Sequence, residues 1–468
     1  MTMKRSLPIL RPLASAVALL ALAGCASLSP DGGQRDVQRM VQERGGPATP
    51  AVPSAQRERY IADRLAKPIS ADDAVAIALL NNRSLQAGYA ELGIAEADLV
   101  QAGRLSNPVF SFSRIKGHDG VDIERKLMLP VIGLLLMPIT RPLEKRRYEL
   151  AQIRAAGEVL RVADDTRRAW YGAVAAQQGA IYMEQVKDAT EAGADLARRM
   201  AQAGNWSKLQ QAREQAFYAD AVAQLARARQ ASISEREKLT RLMGLSQASF
   251  QLPDRLPDLP GAPRESGAAQ AQAMGNRLDI LMAQKELAGL SASLGLTRST
   301  RLINLLDLGY LREQGPDGER ASGYEIELQI PLFDWGSARV ARAEASYMQA
   351  VQRAAGAAVN ARSEVRESYL AYRSAYDIAR HYRDEVVPLK KRISDEQLLR
   401  YNGMLISVFE LLADAREQVA SVNAAIEAQR DFWIADAALQ AALTGSGGGA
   451  ARAPSRASAA PAAGAPQH

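Results

Sequence analysis

Tyr324-Glu325-Ile326-Glu327-Leu328-Gln329-Ile330, followed at once by Pro331-Leu332-Phe333-Asp334-Trp335-Gly336, is the stretch on which the fold turns. Apolar and polar residues alternate through the first seven positions, the period-2 pattern of a strand with one apolar face. Ile303 to Arg312 precedes it, across a loop holding Gly315-Pro316-Asp317-Gly318, a strong turn signal. An earlier pair matches: Pro108 to Lys116, the turn Gly117-His118-Asp119-Gly120, then Val121 to Leu129. Each segment is near the ~9–11 residues that cross a bilayer as a tilted strand. The one ending at Ile330 reaches that length only if Ser322 and Gly323 join it. A barrel wall in lipid requires this alternation, apolar outward and polar inward. Four strands cannot close a barrel, and open edges in hydrocarbon cost several kcal/mol per unpaired group. Membrane strands here would therefore need a barrel shared between chains; the alternative is two ordinary hairpins packed on helices, with their edges in water.

Around these segments the chain is helical on an unusual scale. From Leu143 to Leu252 there is no proline, and Leu143 to Ala203 alone would span about 90 Å at ~1.5 Å per residue. The rods carry coiled-coil spacing: Val408, Leu412, Ala415, Val419, Val422 and Ile426 in one, Leu209, Ala212, Ala216, Ala219, Ala223 and Ala226 in another. Pro388 should kink the descending rod of the second half. Landmarks recur at a nearly constant offset. Asn82-Arg83 returns as Asn276-Arg277, Leu129-Pro130 as Ile330-Pro331, Gly204 as Gly403, and Leu242-Met243-Gly244 as Leu443-Thr444-Gly445. Two homologous halves follow, residues 70–245 and 270–445, joined by a proline-rich linker at 246–269.

The ends differ from the body. Residues 1–24 hold Lys4, Arg5 and Arg11 and no acid, then an apolar run from Leu13 to Leu22, which reads as a secretory signal too short to span a bilayer. Leu22-Ala23-Gly24-Cys25 has the form of a bacterial lipobox, making Cys25, the single cysteine of the chain, the expected lipidation site; the alternative is a free thiol beside an ordinary cleavage site. Residues 25–69, rich in Gly, Pro and polar groups, read as a mostly extended lipidated lead-in. Residues 446–468 read as a disordered tail of Ala, Pro, Ser and Gly.

Composition supports the rods and narrows the function. Over 468 residues, aromatics are 5% and alanine is the commonest residue, as suits closely packed helices. The formal charge of +6 is mostly at the ends: three positive charges lie in residues 1–24 and two in the tail, leaving +1. A nucleic-acid partner thereby loses its main support. One cysteine and three scattered histidines argue against a disulfide framework, a zinc site or a Ser-His-Asp triad, and no cofactor is expected.

Ser70-Ala71-Asp72-Asp73-Ala74-Val75-Ala76-Ile77-Ala78-Leu79-Leu80-Asn81-Asn82, then Ala95-Glu96-Ala97-Asp98-Leu99-Val100-Gln101-Ala102-Gly103 and Asn107-Pro108, resembles the opening of the TolC-like outer-membrane factors. Ile330 to Gly336 resembles their strand-to-helix junction. The likeness covers about residues 70–445, in both repeats and in order. It implies a mainly α fold with a small β part: duplicated long helical hairpins forming a trimeric α-barrel, and four transmembrane strands per chain completing a shared β-barrel. It implies a lipid-anchored homotrimer in the outer membrane, extending into the periplasm. Its function would be a passive exit duct for tripartite efflux or secretion, with no enzymatic step, partnered by a periplasmic adapter and an inner-membrane pump. Ser70 with Asp73 fits a helix-capping box. The hairpin turns holding Gly204, Asn205 and Trp206, and Asn402, Gly403, Met404 and Leu405, would lie at the periplasmic tip, where adapters dock; the glycines also suit an ordinary helix–helix turn with φ > 0. The second tip departs from the family's small polar residues, with Met404, Leu405 and Ile406 after the glycine. Glu410 and Asp414 are the nearest acidic candidates for a gate ring in the lumen, and a solvated helix face explains them equally well. A periplasmic adapter lipoprotein, which also has a lipobox and a helical hairpin, is the alternative; adapters usually show one hairpin and many Gly-rich β segments.

Overall fold

A computed structural model of the chain describes residues 28–446, apart from 118–119, 248, 266–274, 276, 301–305, 316, 329–331 and 407. The signal, Cys25, Pro331 and the tail from residue 447 lie outside the described residues.

Two short helices open the described chain, α1 (Gln34–Gln42) and α2 (Arg57–Leu65). The lead-in is thus not mostly extended. Val37 and Val41, four residues apart, share one face of α1 and are buried, so its composition hid an amphipathic turn. Helices α3 (Ala71–Asn81) and α4 (Arg83–Ala102) lead to strands β1 (Val109–Gly117) and β2 (Gly120–Pro130). Two rods follow, α5 (Val131–Gln202) and α6 (Lys208–Leu242). The second half runs α7 (Leu278–Ser299), β3 (Leu306–Gln314), β4 (Arg320–Leu328), α8 (Ser337–His381), α9 (Val387–Asn402) and α10 (Val408–Thr444). Both halves therefore take one order, helix, β-hairpin and helical hairpin.

The capping box expected at Ser70 is present: Ser70 Oγ accepts from the Asp73 amide and Asp73 accepts from the Ser70 amide. Rod α5 begins directly after β2, twelve residues before Leu143, and takes Pro138 and Pro142 inside it. At the matching junction of the second half, Gly336 adopts φ 73° as the residue before α8, and its amide donates to Asp334 Oδ1 at 2.8 Å. Pro388 acts through a register change. Lacking an N–H, and with its ring against the carbonyl four residues back, it cannot continue the α pattern, and Tyr382–Val386 winds as a π-turn between α8 and α9.

The four described strands form one antiparallel sheet in the order β1-β2-β3-β4. The core lies at the other end of the strands, among the helices. One cluster packs α1, α3, α4 and α5 with Leu278 of α7; a second packs α3, α5 and α6 over Phe250, Leu252 and Leu256; a third joins Leu259 to Tyr372, Tyr376 and Phe432 of α8 and α10. Residues 249–265 have no regular structure, yet they are a packed strap rather than a loose linker. Trp433 Nε1 donates to the Pro257 carbonyl at 3.0 Å, and the Tyr376 hydroxyl to the carbonyls of Pro260 and Gly261, both at 3.1 Å. Ser446, assigned to the tail by composition, belongs to the body: it is buried, and its hydroxyl donates to Asp164 at 2.7 Å.

Alanine periodicity misled in one rod. Leu209, Ala212, Ala216, Ala219, Ala223 and Ala226 all lie exposed on α6, while Glu214, Ala221, Leu225, Leu239 and Thr240 are its buried residues. In so Ala-rich a helix two apolar stripes coexist, and spacing alone does not say which faces the chain's own core.

Candidate functional site: the sheet and the hairpin tips

Strand register sorts every sheet residue onto one of two faces. Opposed residues run Phe110–Leu127–Tyr310–Tyr324 across the four strands, and one pair of positions nearer the helices Leu129–Leu308–Ile326. With Phe112 these make an apolar belt in which every one of those side chains is exposed. Leu332, Phe333 and Trp335 extend exposed apolar surface past β4 at the helical end, with Phe333 97% exposed. The opposite face carries Ser111, Ser113, Asp122, Glu124, Asp307, Glu313, Glu325 and Glu327, with Lys126 bonded to Glu325 at 2.5 Å. Folding thus puts the belt on one face and every described sheet carboxylate on the other, beside Val109, Ile115, Met128 and Leu311. Among the described residues no strand lies beside the outer edges of β1 and β4. No helix among the described residues is long and apolar enough to cross a membrane.

At the far ends of the helical hairpins sit two tight turns. Both use the same pair of bonds: the Gly204 amide to the Ala201 carbonyl at 3.1 Å and Asn205 to Met200 at 2.9 Å, matched by Met404 to Tyr401 and Leu405 to Arg400, each at 2.9 Å. This is the Schellman pattern, whose linking residue must take φ > 0. In the first turn that residue is Gly204, with φ 79°; in the second it is Met404, with φ 60°, and not Gly403, whose φ is −78°. The expectation that Gly403 supplies the left-handed position is therefore corrected, and the true equivalent of Gly204 lies one residue later. Among the described residues Met404 is the one non-glycine with positive φ. It is 93% exposed, and its neighbour Leu405 is also exposed, as are Asn402 and Asn205; Trp206 is half-buried. Glu410 lies exposed in the first turn of α10, whereas Asp414 is half-buried, with Oδ2 shut from solvent and accepting no hydrogen bond from the described residues. Nearby, Arg416 reaches the buried Glu214 at 3.4 Å and stacks over the Phe217 ring, tying α10 to α6; burial pushes the Glu214 carboxyl above the usual range.

Sequence reading missed the joints at the opposite ends of the rods. Asn82 Nδ2 donates to the Leu242 carbonyl at 2.9 Å, and Asn81 Nδ2 to Gly244 at 2.6 Å. In the second half Arg277, 1% exposed, donates to the Ala442 carbonyl and pairs with Asp279 at 2.8 Å and Glu364 at 2.6 Å. Gly244 and Gly445 close the two rods with φ 67° and 73°. The Asn-Arg landmark at 82–83 and 276–277 marked these joints without showing that they latch a rod's end. No group of three or more His, Cys, Asp or Glu residues able to hold a metal occurs among the described residues.

No family model and no curated protein sequence matches the chain. Solved structures do. The Campylobacter jejuni CmeC outer membrane channel superimposes with TM-score 0.71 at 17% identity, covering 80% of this chain and 86% of that one. A membrane protein from Pseudomonas aeruginosa gives 0.70 at 18% identity over 85% and 96%. The open state of the Neisseria gonorrhoeae MtrE outer membrane channel gives 0.66 at 17% identity over 80% of this chain and 89% of that one. At such identities the likeness concerns the fold, and it spans nearly the whole of each partner.

Proposed function

From the TolC-like outer-membrane-channel fold, we propose that this chain is the outer-membrane exit duct of a tripartite efflux or secretion system, working as a homotrimer without chemistry of its own. One observation carries the reading: a sheet with an exposed apolar face, an acidic opposite face and two unpaired edges. In hydrocarbon those edges must be paired, so β1 of one copy joins β4 of the next, and the acidic face lines a water-filled lumen. Copies packed side by side also use the exposed alanine stripe of α6, where small side chains let backbones approach closely. The two halves, 70–245 and 270–445, supply alternate hairpins of the wall. The rods reach into the periplasm, and the tips from Gly204 to Trp206 and from Asn402 to Leu405 meet the adapter, which hands on cargo from an inner-membrane pump. Cys25 carries the lipid anchor. Glu410, exposed on α10, and Asp414 beside it are the gate candidates.

Planar-bilayer conductance of the purified, lipidated protein, measured beside its assembled mass, tests the reading. A trimer that forms discrete cation-preferring pores supports it; a monomer without pore activity overturns it.

A further inference from the structure

Beyond the apolar belt, towards the hairpin turns, the apolar face of the sheet becomes basic. Arg125 and Arg312 lie directly opposite each other on β2 and β3. Two positions on, Arg114 and Arg320 occupy the same face on β1 and β4, with Lys116 beyond Arg114. All five side chains are exposed. No acid shares the face: every described sheet carboxylate, from Asp122 and Glu124 to Glu325 and Glu327, points the other way. None of the five bases has an ion pair among the described residues; Arg125 lies over the Phe112 ring, its guanidinium carbon 6.0 Å from the centroid. Like charges directly opposite in a sheet are destabilising. Here the obvious remedy, an acid at the next position, has been placed on the other face, so the positive charge awaits an anion from outside the chain.

We propose that this arginine rim binds the phosphate groups of lipid headgroups in the outer leaflet, a reading that rests on the sheet spanning the outer membrane. The position selects a lipid rather than a free anion. The Phe110–Leu127–Tyr310–Tyr324 row lies two residues, about 7 Å, from the Arg125–Arg312 row, so an acyl chain on the belt carries its headgroup to the arginines. Planar guanidinium forks suit phosphate oxygens bidentately. At the helical end the belt meets exposed Phe333 and Trp335, the aromatic side chains of the other interface. Arginines at one border and aromatics at the other then fix the depth of the sheet in the bilayer.

The test uses the full lipidated trimer in nanodiscs of zwitterionic lipid doped with diphosphorylated lipid A or its dephosphorylated form, with bound lipid counted by native mass spectrometry. The wild type should retain the diphosphorylated form preferentially. Arg125→Gln with Arg312→Gln should lower that retention by about thirtyfold, at roughly 1 kcal/mol for each of the two arginines near the surface, with conductance kept. Arg125→Lys with Arg312→Lys, keeping the charge, should retain most of it, and Lys126→Gln on the opposite face should change nothing. A wild type that inserts and conducts without discriminating the two lipids overturns the rim and leaves the duct standing. Equal loss on Lys126→Gln, or displacement of the lipid by millimolar inorganic phosphate, overturns it as well. A protein that enters neither disc overturns both.

Discussion

Met404 holds a left-handed conformation in which an L side chain meets its own carbonyl, at a cost of about 1–2 kcal/mol. The structure tolerates this where Gly403, one residue earlier, stands idle at φ −78°. Strain at an exposed tip, with no packing to impose it, makes this residue a candidate for the test of adapter contact. Met404→Gly should relax the turn and slow hydrogen exchange of the Met404 and Leu405 amides severalfold, while adapter capture weakens if the exposed methionine makes the contact. Unchanged exchange would show that the turn holds no such strain. Asp164 makes a second argument at this scale. Burial pushes its carboxyl up to about 6, against the opposing hydrogen bond from Ser446 and the nearby Arg167 and Arg168. A raised carboxyl favours the neutral form, so its contribution is complete below about 4 and is lost as pH rises through about 6. Asp164→Asn keeps an acceptor for Ser446 and cannot ionise. It should flatten the denaturation midpoint between pH 4 and 6 and stabilise the protein at pH 7, by at most about 3 kcal/mol. A pH profile identical to wild type would refute the shift.

Among elements, the joints at the rod ends carry most at stake. Arg277 is a buried cation held by two carboxylates and the Ala442 carbonyl, whereas Asn82, which latches the end of the first hairpin, is neutral. Removing one partner of such a network strands the others, at about 3–5 kcal/mol, while loss of a neutral cap costs about 1 kcal/mol. Arg277→Ala should therefore destabilise far more than Asn82→Ala in chemical denaturation, and equal effects would show that the ion network does not stabilise the joint. Much of this scale was legible. Alternation in Tyr324 to Leu328 gave β4, and the turn chemistry of Gly315 to Gly318 gave its hairpin. The absence of proline after Leu143 gave the first rod. The start of α5 was not legible, since Pro138 and Pro142, its eighth and twelfth residues, each remove a helical hydrogen bond and argue against a helix there. Nor was the strap over 249–265, whose four prolines signal a loop while Trp433, Tyr376 and Tyr372, more than a hundred residues away, hold it down.

For the whole molecule, the sheet's two faces make the prediction. Six carboxylates and one lysine line its acidic face in each chain, so a shared barrel should prefer cations. Replacing Glu124, Glu313 and Glu325 with Gln should move the reversal potential in a salt gradient towards zero with the pore intact. Replacing Glu410 and Asp414 with Ala tests the other acidic set. Unchanged conductance and cation preference there would remove both from the gate, an outcome the half-buried Asp414 makes more pointed than the exposed Glu410 does.

The amino-acid sequence alone determined what depends on near neighbours: the period-2 strands, the long rod after Leu143, the turn at Gly204 and the capping box at Ser70. Tertiary structure decided what depends on partners distant in the chain. It chose which stripe of α6 is buried, put the left-handed tip residue at Met404, paired Arg277 with Glu364, and aligned four strands so that bases and acids fall on opposite faces. The reason is physical. Helix and strand periods are set within a few residues, but a face acquires a meaning only when something packs against it, and in this sheet one face is still turned outward.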